Sequence, residues 1–373
     1  MLFSISSLTL GVDFDLEAKS ALLMEASTGE VIYKNNSHQK LPPASITKIM
    51  TMLLTMEALE EGKIDLSDKV VTSDRAAEMG GSQIWLEPGE EMRVEDLLKA
   101  VAIVSANDAS VALAEHVAGT EKRFVKLMNQ KAKNLGLKNT LFYNTNGLPV
   151  DKTEGEGNYT TAYDIAVMAR ELLKYPDIIE YSSTWIDYIR DGESFLRNTN
   201  DLVKSYQGAD GVKTGFTNES GFCVAATAKR DGMRFIAVIM DAPDSKVRFD
   251  EAKELLSYAF SVYEPITITE QGEKIKELNV FKGKKQKVIG IAGNDLVLPI
   301  LKGEEKKIKK EIIFFEVNAP IKKGEKIGEI LIKKNGDVIT KTDIVAKSDI
   351  EKANVLIMML HLLKRYLENI ILK

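Results

Sequence analysis

A serine and a lysine three residues apart are the strongest candidates for chemistry in this chain. In Ser45-Ile-Thr-Lys48 the hydroxyl and the amine lie on one face of a predicted helix, where the two side chains can touch. The helix dipole favours negative charge near an N-terminus, and burial lowers the pKa of a lysine from its ordinary value of about 10.4. A neutral lysine can then take the serine's proton, so the pair predicts a serine nucleophile with a lysine base.

Other catalytic routes have little support in the composition. The 373 residues include one cysteine, Cys223, and three histidines, His38, His116 and His361, none of them near a Gly-x-Ser-x-Gly elbow. These are too few soft ligands for a structural zinc site or a disulfide framework, so we expect no metal and no cofactor. The net charge of −5 gives no basic field for nucleic acid, and we expect no nucleic-acid partner.

Ser-x-x-Lys by itself is a weak motif, because the chain holds a second copy, Ser37-His-Gln-Lys40, which we interpret as chance. The first copy has two companions. Ser105-Ala-Asn107 lies at the break between two helical patterns, where a short loop can point both side chains into a cleft. A serine that caps the following helix is the alternative interpretation.

The second companion is Lys213-Thr214-Gly215, which falls in a predicted strand. The lysine supplies positive charge, and a strand glycine lets another backbone approach closely. Three short motifs, each in the structural context that its chemistry requires, together form a much stronger signal than any one of them.

The elements that must position these residues can be predicted from periodicity. A hairpin around the turn Ser27-Thr28-Gly29 opens the chain, and a mostly buried helix runs from Ser45 to Glu61, after two prolines and before Gly62. Further helical patterns cover 94–104, 106–118, 121–135, 161–173 and 248–263, and strand patterns cover 221–228 and 234–240. Helices in the middle with strands at both ends predict an α/β (α+β) domain with helices packed on one sheet.

Beyond residue 263 the pattern changes to short apolar runs separated by glycine and lysine. The runs cover 287–291, 296–300, 311–317, 326–333 and 337–341. Turn signals at this spacing predict a small all-β domain. We interpret its lysine-rich surface as a solvated face, with contact to an anionic wall or membrane as the alternative.

Both ends of the chain carry apolar segments. Residues 1–18 are interpreted as a leader remnant or a disordered terminus. Residues 351–373 predict an amphipathic helix with a wide apolar face and several basic residues, which suits the surface of an anionic membrane. A helix docked on its own domain, or a dimer contact, is the alternative. No stretch reaches the roughly 18 uninterrupted apolar residues that a membrane span requires.

Taken in order, the three motifs resemble those of the penicillin-binding proteins and serine β-lactamases. Longer stretches resemble the low-molecular-weight penicillin-binding proteins, which are serine-type D-alanyl-D-alanine carboxypeptidases; these stretches are 42–48, 105–115, 144–148, 160–170 and 208–217. The resemblance implies a penicillin-binding/β-lactamase-like transpeptidase domain with an antiparallel sheet at 19–263. A β-rich domain at 264–350 and an amphipathic membrane-anchor helix at 351–373 follow in the family's order.

The resemblance also implies roles for the motif residues. Ser45 would be the acylated nucleophile, Lys48 its base, and Ser105 a relay of the proton to the leaving D-alanine. Asn107 would bind the substrate's peptide carbonyl and orient Lys48. Lys213 would keep the pocket positive, so that Lys48 stays neutral and the substrate's terminal carboxylate is attracted.

The remaining implied residues bind substrate. Thr214, next to Gly215, and Thr217 would hold the terminal carboxylate, and the backbone N–H groups of Ser45 and Phe216 would form the oxyanion hole. The family often has histidine at the position of Phe216. Arg248 resembles a family arginine near the carboxylate site, and the alternative for it is a surface arginine paired with Asp244 or Glu251.

The implied function is removal of the terminal D-alanine from peptidoglycan stem pentapeptides through an acyl-serine intermediate. The expected partners are peptidoglycan stem peptides, β-lactam antibiotics such as penicillin, and a membrane surface on the outer face of the cytoplasmic membrane, with roles in cell-wall biogenesis and cell shape. One alternative is a β-lactamase, but its candidate bases Glu154, Glu156 and Glu171 lack a Glu-x-x-Leu-Asn context. The other is a non-hydrolytic module that binds peptidoglycan or β-lactams.

Overall fold

The chain divides into two compact units. The computed structural model describes residues 14–150, 157–361 and 363. One unit comprises residues 1–230 and 234–261, and the other comprises 231–233 and 262–373. Of the proposed leader remnant or disordered terminus at 1–18, residues 1–13 lie outside the described part, whereas the backbone N–H groups of Glu17 and Ala18 donate to Glu251 of the same unit.

In the first unit, helices pack on a five-stranded sheet. Its helices are α1 (Lys48–Glu60), α2 (Asp74–Ala77), α3 (Val94–Ile103), α4 (Asn107–Ala118), α5 (Glu121–Asn134), α6 (Ala162–Leu172), α7 (Pro176–Ser183), α8 (Leu202–Ser205) and α9 (Ser245–Val262). Its strands are β1 (Ser20–Glu25), β2 (Val31–Asn35), β3 (Lys69–Val71), β4 (Glu91–Arg93), β5 (Ile186–Ile189), β6 (Ser194–Arg197), β7 (Ala209–Thr217), β8 (Gly221–Arg230) and β9 (Met233–Ala242).

The sheet has the strand order β2-β1-β9-β8-β7, which leaves β7 at an edge. The pairs β1–β2, β1–β9 and β7–β8 are antiparallel, and the predicted hairpin around residue 28 is confirmed. The middle of β8 and of β9 is buried, as expected for strands covered on both faces. An antiparallel sheet with helices packed on it is therefore confirmed.

Helix α1 is buried on nearly every side, because apolar and small residues fill most of its turns. It begins at Lys48 rather than at Ser45, the predicted start. The preceding residues, Ala44–Thr47, form a tighter 3-10 turn, and Ala44 has a left-handed φ of 47°. The Ser-x-x-Lys motif therefore spans the junction of the 3-10 turn and the helix.

The other long helices lie within three residues of the predicted ranges. Threonine caps explain two of the starts, since the hydroxyls of Thr120 and Thr161 accept hydrogen bonds from the first turns of α5 and α6. The sequence analysis missed α2, α7 and the β5–β6 hairpin, because these elements are shorter than the windows of about 11 to 18 residues in which helical periodicity is recognised, and the strands have only 4 residues each.

The second unit is built from strands. They are β10 (Tyr263–Thr269), β11 (Lys274–Asn279), β12 (Lys287–Ala292), β13 (Leu296–Leu301), β14 (Ile308–Phe314), β15 (Lys326–Lys334) and β16 (Asp337–Ala346). Five of them form a sheet in the order β11-β12-β16-β15-β14, and β10 pairs with β13. Buried isoleucine and valine side chains from several strands form its core, which confirms the predicted β-rich region.

The predicted C-terminal helix is present at residues 355–361, while 362 and 364–373 lie outside the described part. Its apolar side chains are largely exposed, with fractions of 70% for Val355, 66% for Leu356 and 62% for Met359. No helix within residues 14–150, 157–361 and 363 is long and apolar enough to span a membrane.

A loop at 144–148 packs against the start of α1. The carbonyl oxygen of Thr145 accepts hydrogen bonds from Thr51 of α1 (2.6 Å) and from Ser110 of α4 (2.9 Å), which fixes the loop between the two helices. Gly147 has a φ of 83°, and a Cβ at this position would overlap the carbonyl of Ala44. This loop therefore supports the turn that carries Ser45.

We predict that Gly147→Ala lowers the free energy of unfolding by clearly more than the cost of placing an alanine at a left-handed φ. Gly89 is the matched control, because it has the same φ of 83° and a Cβ added there would meet nothing within 4 Å. We expect Gly89→Ala to cost about 1 to 2 kcal/mol of unfolding free energy and Gly147→Ala about 2 kcal/mol more, as measured by urea denaturation. Equal losses would contradict the close packing on Ala44.

Candidate active site

The side chains of Ser45 and Lys48 meet where the 3-10 turn joins α1. Lys48 Nζ lies 3.0 Å from Ser45 Oγ, so the contact that the spacing predicted is present. Lys48 is fully buried, whereas Ser45 is partly exposed and can be reached from solvent. The arrangement places a potential base behind a potential nucleophile.

The Lys48 amine makes two further hydrogen bonds. Nζ lies 2.6 Å from Asn107 Oδ1 and 2.8 Å from the carbonyl oxygen of Asn146, and both of these oxygens only accept hydrogen bonds. A neutral amine has two N–H groups and one lone pair. If its two N–H groups serve the two acceptors, the lone pair is left for the proton of Ser45.

The pKa of Lys48 is lowered well below its ordinary value. Burial is the largest cause, because charge is poorly solvated inside the protein, and repulsion from Lys213 adds to it; attraction to Asp108 acts in the opposite direction. The electrostatic effect of Lys213 also means that the structure brings these two lysines close together. Both causes favour a neutral amine.

Asn107 is held in one orientation by the loop between α2 and β4. Its Nδ2 donates to the carbonyl of Gly80 at 2.6 Å, which leaves Oδ1 facing Lys48. Its backbone N–H donates to the carbonyl of Ser82 at 2.7 Å. Asn107 is therefore an orienting partner of Lys48, as expected from the sequence.

Ser105 lies just before α4 in a left-handed conformation, with a φ of 65°. Its hydroxyl is buried and makes no hydrogen bond within the part of the chain that the structure describes. The N-cap of α4 is Ala106, so the interpretation of Ser105 as a helix cap is wrong. A buried hydroxyl without a partner costs about 1 to 3 kcal/mol, which a bound ligand can recover.

Strand β7 brings the third motif to the same place. A Cβ at Gly215 would lie 3.1 Å from the backbone nitrogen of Ser45 and 2.9 Å from the carbonyl of Pro43, so glycine permits this close approach. The hydroxyl of Thr214 lies 2.7 Å from that of Thr199. Because β7 is an edge strand, one of its backbone edges has no neighbouring strand and can pair with an extended ligand.

The positive charge predicted for Lys213 depends on pH. Burial, with repulsion from Arg248, lowers the pKa of Lys213 to about 7. Its Nζ donates to the carbonyl of Thr214 at 3.2 Å. Near neutral pH the group is therefore close to half protonated, and a bound anion would raise its pKa.

Two substrate-site candidates at the end of β7 differ in their surroundings. Phe216 is 49% exposed and stacks on Phe222, with ring centroids 4.2 Å apart. The hydroxyl of Thr217 contacts Ser220, so part of its hydrogen-bonding capacity is used in the turn after β7. The structure thus places Phe216 at the surface and Thr217 beside the turn.

Arg248 is buried, and its guanidinium donates to the carbonyls of Gly215 (3.2 Å) and Cys223 (3.4 Å) and to the hydroxyl of Ser245 (3.1 Å). The alternative of a surface arginine paired with acidic residues of its own helix is therefore wrong. Burial lowers the pKa of Arg248 to about 10, which leaves it charged at neutral pH. It supports the strand segment that carries the glycine of the third motif.

Sequence reasoning assigned no role to two groups that contact or influence Lys48. Asn146 lies in 144–148, one of the stretches that carry the family resemblance. Its contact with Lys48 is made by the backbone carbonyl, which the identity of the side chain does not predict. Asp108 is fully buried, and its carboxylate accepts the backbone N–H groups of Ile84 and Leu86. Its position next to Asn107 was the available clue.

The remaining candidates make other contacts or lie outside the described residues. In the second Ser-x-x-Lys copy, the Lys40 amine lies over the ring of Tyr159, 4.7 Å from its centre. Glu171 forms an ion pair with Lys174 at 2.6 Å, and Glu154 and Glu156 lie outside the described residues. Among residues 14–150, 157–361 and 363, no three metal-binding side chains cluster.

Two family models match the sequence and together cover most of it. Residues 7–244 match the model described as D-alanyl-D-alanine carboxypeptidase, and residues 263–352 match the C-terminal domain of penicillin-binding protein 5. The chain is 49% identical over 342 residues to D-alanyl-D-alanine carboxypeptidase DacF of Bacillus subtilis, covering 90% of this chain and 87% of that protein.

Solved structures agree with this result. The crystal structure of PBP3 of Streptococcus pneumoniae, described as a peptidoglycan synthesis regulatory factor, is 31% identical, with a TM-score of 0.74 over 91% of this chain and all of that chain. Penicillin-binding protein D2 of Listeria monocytogenes, in its ampicillin-bound form, is 32% identical, with a TM-score of 0.61 over 67% of this chain and all of that chain.

The buried lysine predicts a pH dependence of stability. The pKa of Lys213 is about 7 in the folded chain and about 10.4 in an unfolded one, so between these values the unfolded chain binds more protons. We expect the free energy of unfolding of the wild type, relative to Lys213→Met, to stay flat below pH 7 and to rise between about pH 7 and 10. Urea titrations across this range measure it.

The control for this measurement is Lys246→Met. Lys246 is exposed and paired with Asp250, so its replacement should give no comparable rise over the same range. A difference between wild type and Lys213→Met that stays flat or falls as the pH increases would contradict the lowered pKa.

Proposed function

The chain belongs to the D-alanyl-D-alanine carboxypeptidase family and is a serine-type carboxypeptidase; we propose that it removes the terminal D-alanine of peptidoglycan stem pentapeptides through an acyl form of Ser45. The observation that carries this proposal is the set of three contacts made by the Lys48 amine. In the proposed mechanism Lys48 accepts the hydroxyl proton while Ser45 Oγ attacks the carbonyl carbon of the terminal D-Ala–D-Ala bond.

Attack produces a tetrahedral intermediate with a negative oxygen. We assign its stabilisation to the backbone N–H groups of Ser45 and Phe216, because Gly215 brings the two backbones within contact distance. When the intermediate collapses, the departing D-alanine nitrogen needs a proton. Ser105 is the proposed relay: it donates its proton to the nitrogen and takes up the one held by Lys48, since its buried hydroxyl is not committed to another hydrogen bond in the described part of the chain.

Recognition of the free carboxylate completes the proposed site. Thr214 and Thr217 offer hydroxyl groups along β7, and Lys213 offers an ammonium that a bound carboxylate would keep protonated. Arg248 contributes positive charge from below the strand while it holds the Gly215 carbonyl. A peptide extended by another residue would lack the carboxylate at this position, which explains a preference for chain ends.

Water then hydrolyses the acyl-serine and regenerates Ser45. A β-lactam offers the same enzyme a strained amide and a carboxylate, so its ring would open on Ser45 Oγ in the same way. The opened ring remains attached to the acyl group and does not diffuse away as D-alanine does. This supports β-lactam antibiotics as ligands of the same site.

We further propose that the enzyme works at the outer face of the cytoplasmic membrane, where peptidoglycan lies, and that trimming of stem peptides contributes to cell shape. The exposed apolar side chains at 355–361 support a helix that lies in the membrane surface. Apolar area of this kind is stabilised by insertion among lipids, and basic residues of the tail favour an anionic leaflet.

The first test of this proposal uses a brief exposure to penicillin followed by peptide mass spectrometry. We expect one adduct, on the peptide that contains Ser45, and none in Ser45→Ala. Because Lys48 takes the proton in the proposed acylation step, Lys48→Met should slow adduct formation by at least about 100-fold. Ser37→Ala, in the second Ser-x-x-Lys copy, is the control and should label as the wild type does. An adduct on any other serine would refute the assignment.

The second test concerns the membrane anchor. The truncation should begin at Asn354, because Glu351 and Ala353 form backbone hydrogen bonds with Lys284 and Lys282. We expect the protein lacking residues 354–373 to release D-alanine as the full chain does but to lose binding to phosphatidylglycerol vesicles in a sedimentation assay.

A full-length control keeps the tail and removes its apolar character. Leu356→Glu combined with Leu360→Glu places charges on exposed positions and should abolish vesicle binding as the truncation does. Vesicle binding that survives the truncation would exclude the anchor.

A further inference from the structure

Three exposed aromatic side chains lie on two segments of the first unit that Arg190 joins by hydrogen bonds. The exposed fractions are 75% for Trp85 and 54% each for Tyr188 and Phe195. Tyr188 and Phe195 are cross-strand partners in the β5–β6 hairpin, with an edge contact between rings whose centres are 5.6 Å apart. We call these three residues the aromatic surface. Large exposed apolar groups that cluster in this way commonly mark a binding site.

The fold holds Trp85 outward at a cost. Its φ is 60°, a left-handed conformation that is unusual for a bulky residue and that persists only where the surroundings impose it. Its neighbours Ile84 and Leu86 are buried, and the backbone N–H groups of both donate to the carboxylate of Asp108. The loop is therefore fixed on both sides of the exposed ring.

Arg190 fixes this loop to the hairpin. Its guanidinium donates to the carbonyls of Ile84 (2.8 Å) and Trp85 (3.4 Å) and to the hydroxyl of Ser194, next to Phe195 (3.0 Å). It also pairs with the carboxylate of Glu90 at 2.7 and 3.1 Å. The loop that carries Trp85 and the hairpin that carries the other two rings are therefore held together by one side chain.

Both segments that carry the aromatic surface also contain residues that contact the active site. Gly80, whose carbonyl binds Asn107, lies on the loop that carries the exposed tryptophan. The hairpin runs directly into Thr199, whose hydroxyl contacts that of Thr214. Thr199 is four residues after Phe195, a separation of at most ~14 Å along an extended chain. A ligand larger than the terminal dipeptide can therefore reach both places.

We propose that the aromatic surface binds a sugar ring of the glycan that carries the stem peptide, an inference that rests on the proposed function. The face of an N-acetylated pyranose ring is a layer of C–H groups, which packs on aromatic rings, and its rim carries hydroxyl and amide groups. Side chains with hydrogen-bonding capacity for that rim lie beside the rings in the sequence: Gln83, Glu87 and Arg197.

The test compares two substrates of the full-length protein: a free pentapeptide and the same pentapeptide on its disaccharide, both followed by D-alanine release. Trp85→Gly is the informative variant, because glycine removes the ring and also relieves the left-handed strain, so the Tm should not fall. We expect its kcat/KM to fall about 2- to 10-fold more on the disaccharide pentapeptide than on the free pentapeptide. Trp85→Phe should restore most of the difference.

Phe281→Gly is the control, since it removes another exposed ring (55%) from the second unit and should affect both substrates equally. An equal loss on both substrates in Trp85→Gly would mean that the residue only supports the catalytic loop, and no loss on either would mean that the surface binds something else. Either result overturns the proposal.

A binding measurement separates this proposal from the proposed function. The chain has two tryptophans, so in Trp185→Phe the fluorescence reports on Trp85 alone. We expect saturable quenching or a blue shift on titration with a peptide-free N-acetylglucosamine oligomer, and an unchanged spectrum would overturn the proposal. If the wild type released no D-alanine from either substrate, the proposed function would be wrong. The fluorescence titration would still decide whether the aromatic surface binds a glycan.

Discussion

The structure depends on keeping one amine uncharged in a place that water does not reach. Lys48 is fully buried, and its three contacts are two pure acceptors and one hydroxyl. An ammonium could donate to all three groups, because the Ser45 hydroxyl also accepts, but its buried charge would be destabilising; a neutral amine can use two N–H groups and receive the proton of Ser45 on its lone pair. The elements of the first unit serve this requirement: α1 presents the amine, the loop at 144–148 supplies a carbonyl, and α4 supplies the amide.

Burial and the charge of Lys213 favour a neutral Lys48, and Lys213 and Arg248 also suit an anionic ligand. Lys213 lowers the pKa of Lys48, and Arg248 in turn lowers the pKa of Lys213 to about 7. Each charge is destabilising in the empty site and becomes favourable when a carboxylate binds. A substrate with a free carboxylate therefore binds more tightly to the form of the site in which Lys213 is charged.

The sequence predicted the catalytic side chains better than the backbone groups that position them, for a physical reason. Side-chain identity and spacing carried the pairing of Ser45 with Lys48, and the helical and strand periods located most elements to within a few residues. The carbonyl of Asn146 and the left-handed turns at Ala44 and Ser105 depend on backbone geometry, which side-chain patterns do not encode. The partial neutrality of Lys213 was missed because burial of a charge is a tertiary property.

The protonation state of Lys48 can be measured by NMR titration of protein labelled at the lysine side chains, with its signal assigned by comparison with Lys48→Arg. We expect a neutral amine at pH 7.5 in the free enzyme, with protonation only at lower pH. A Lys48 side chain that remains an ammonium up to pH 9 would contradict the proposed role of this residue, since the amine would then have no lone pair with which to accept the proton of Ser45.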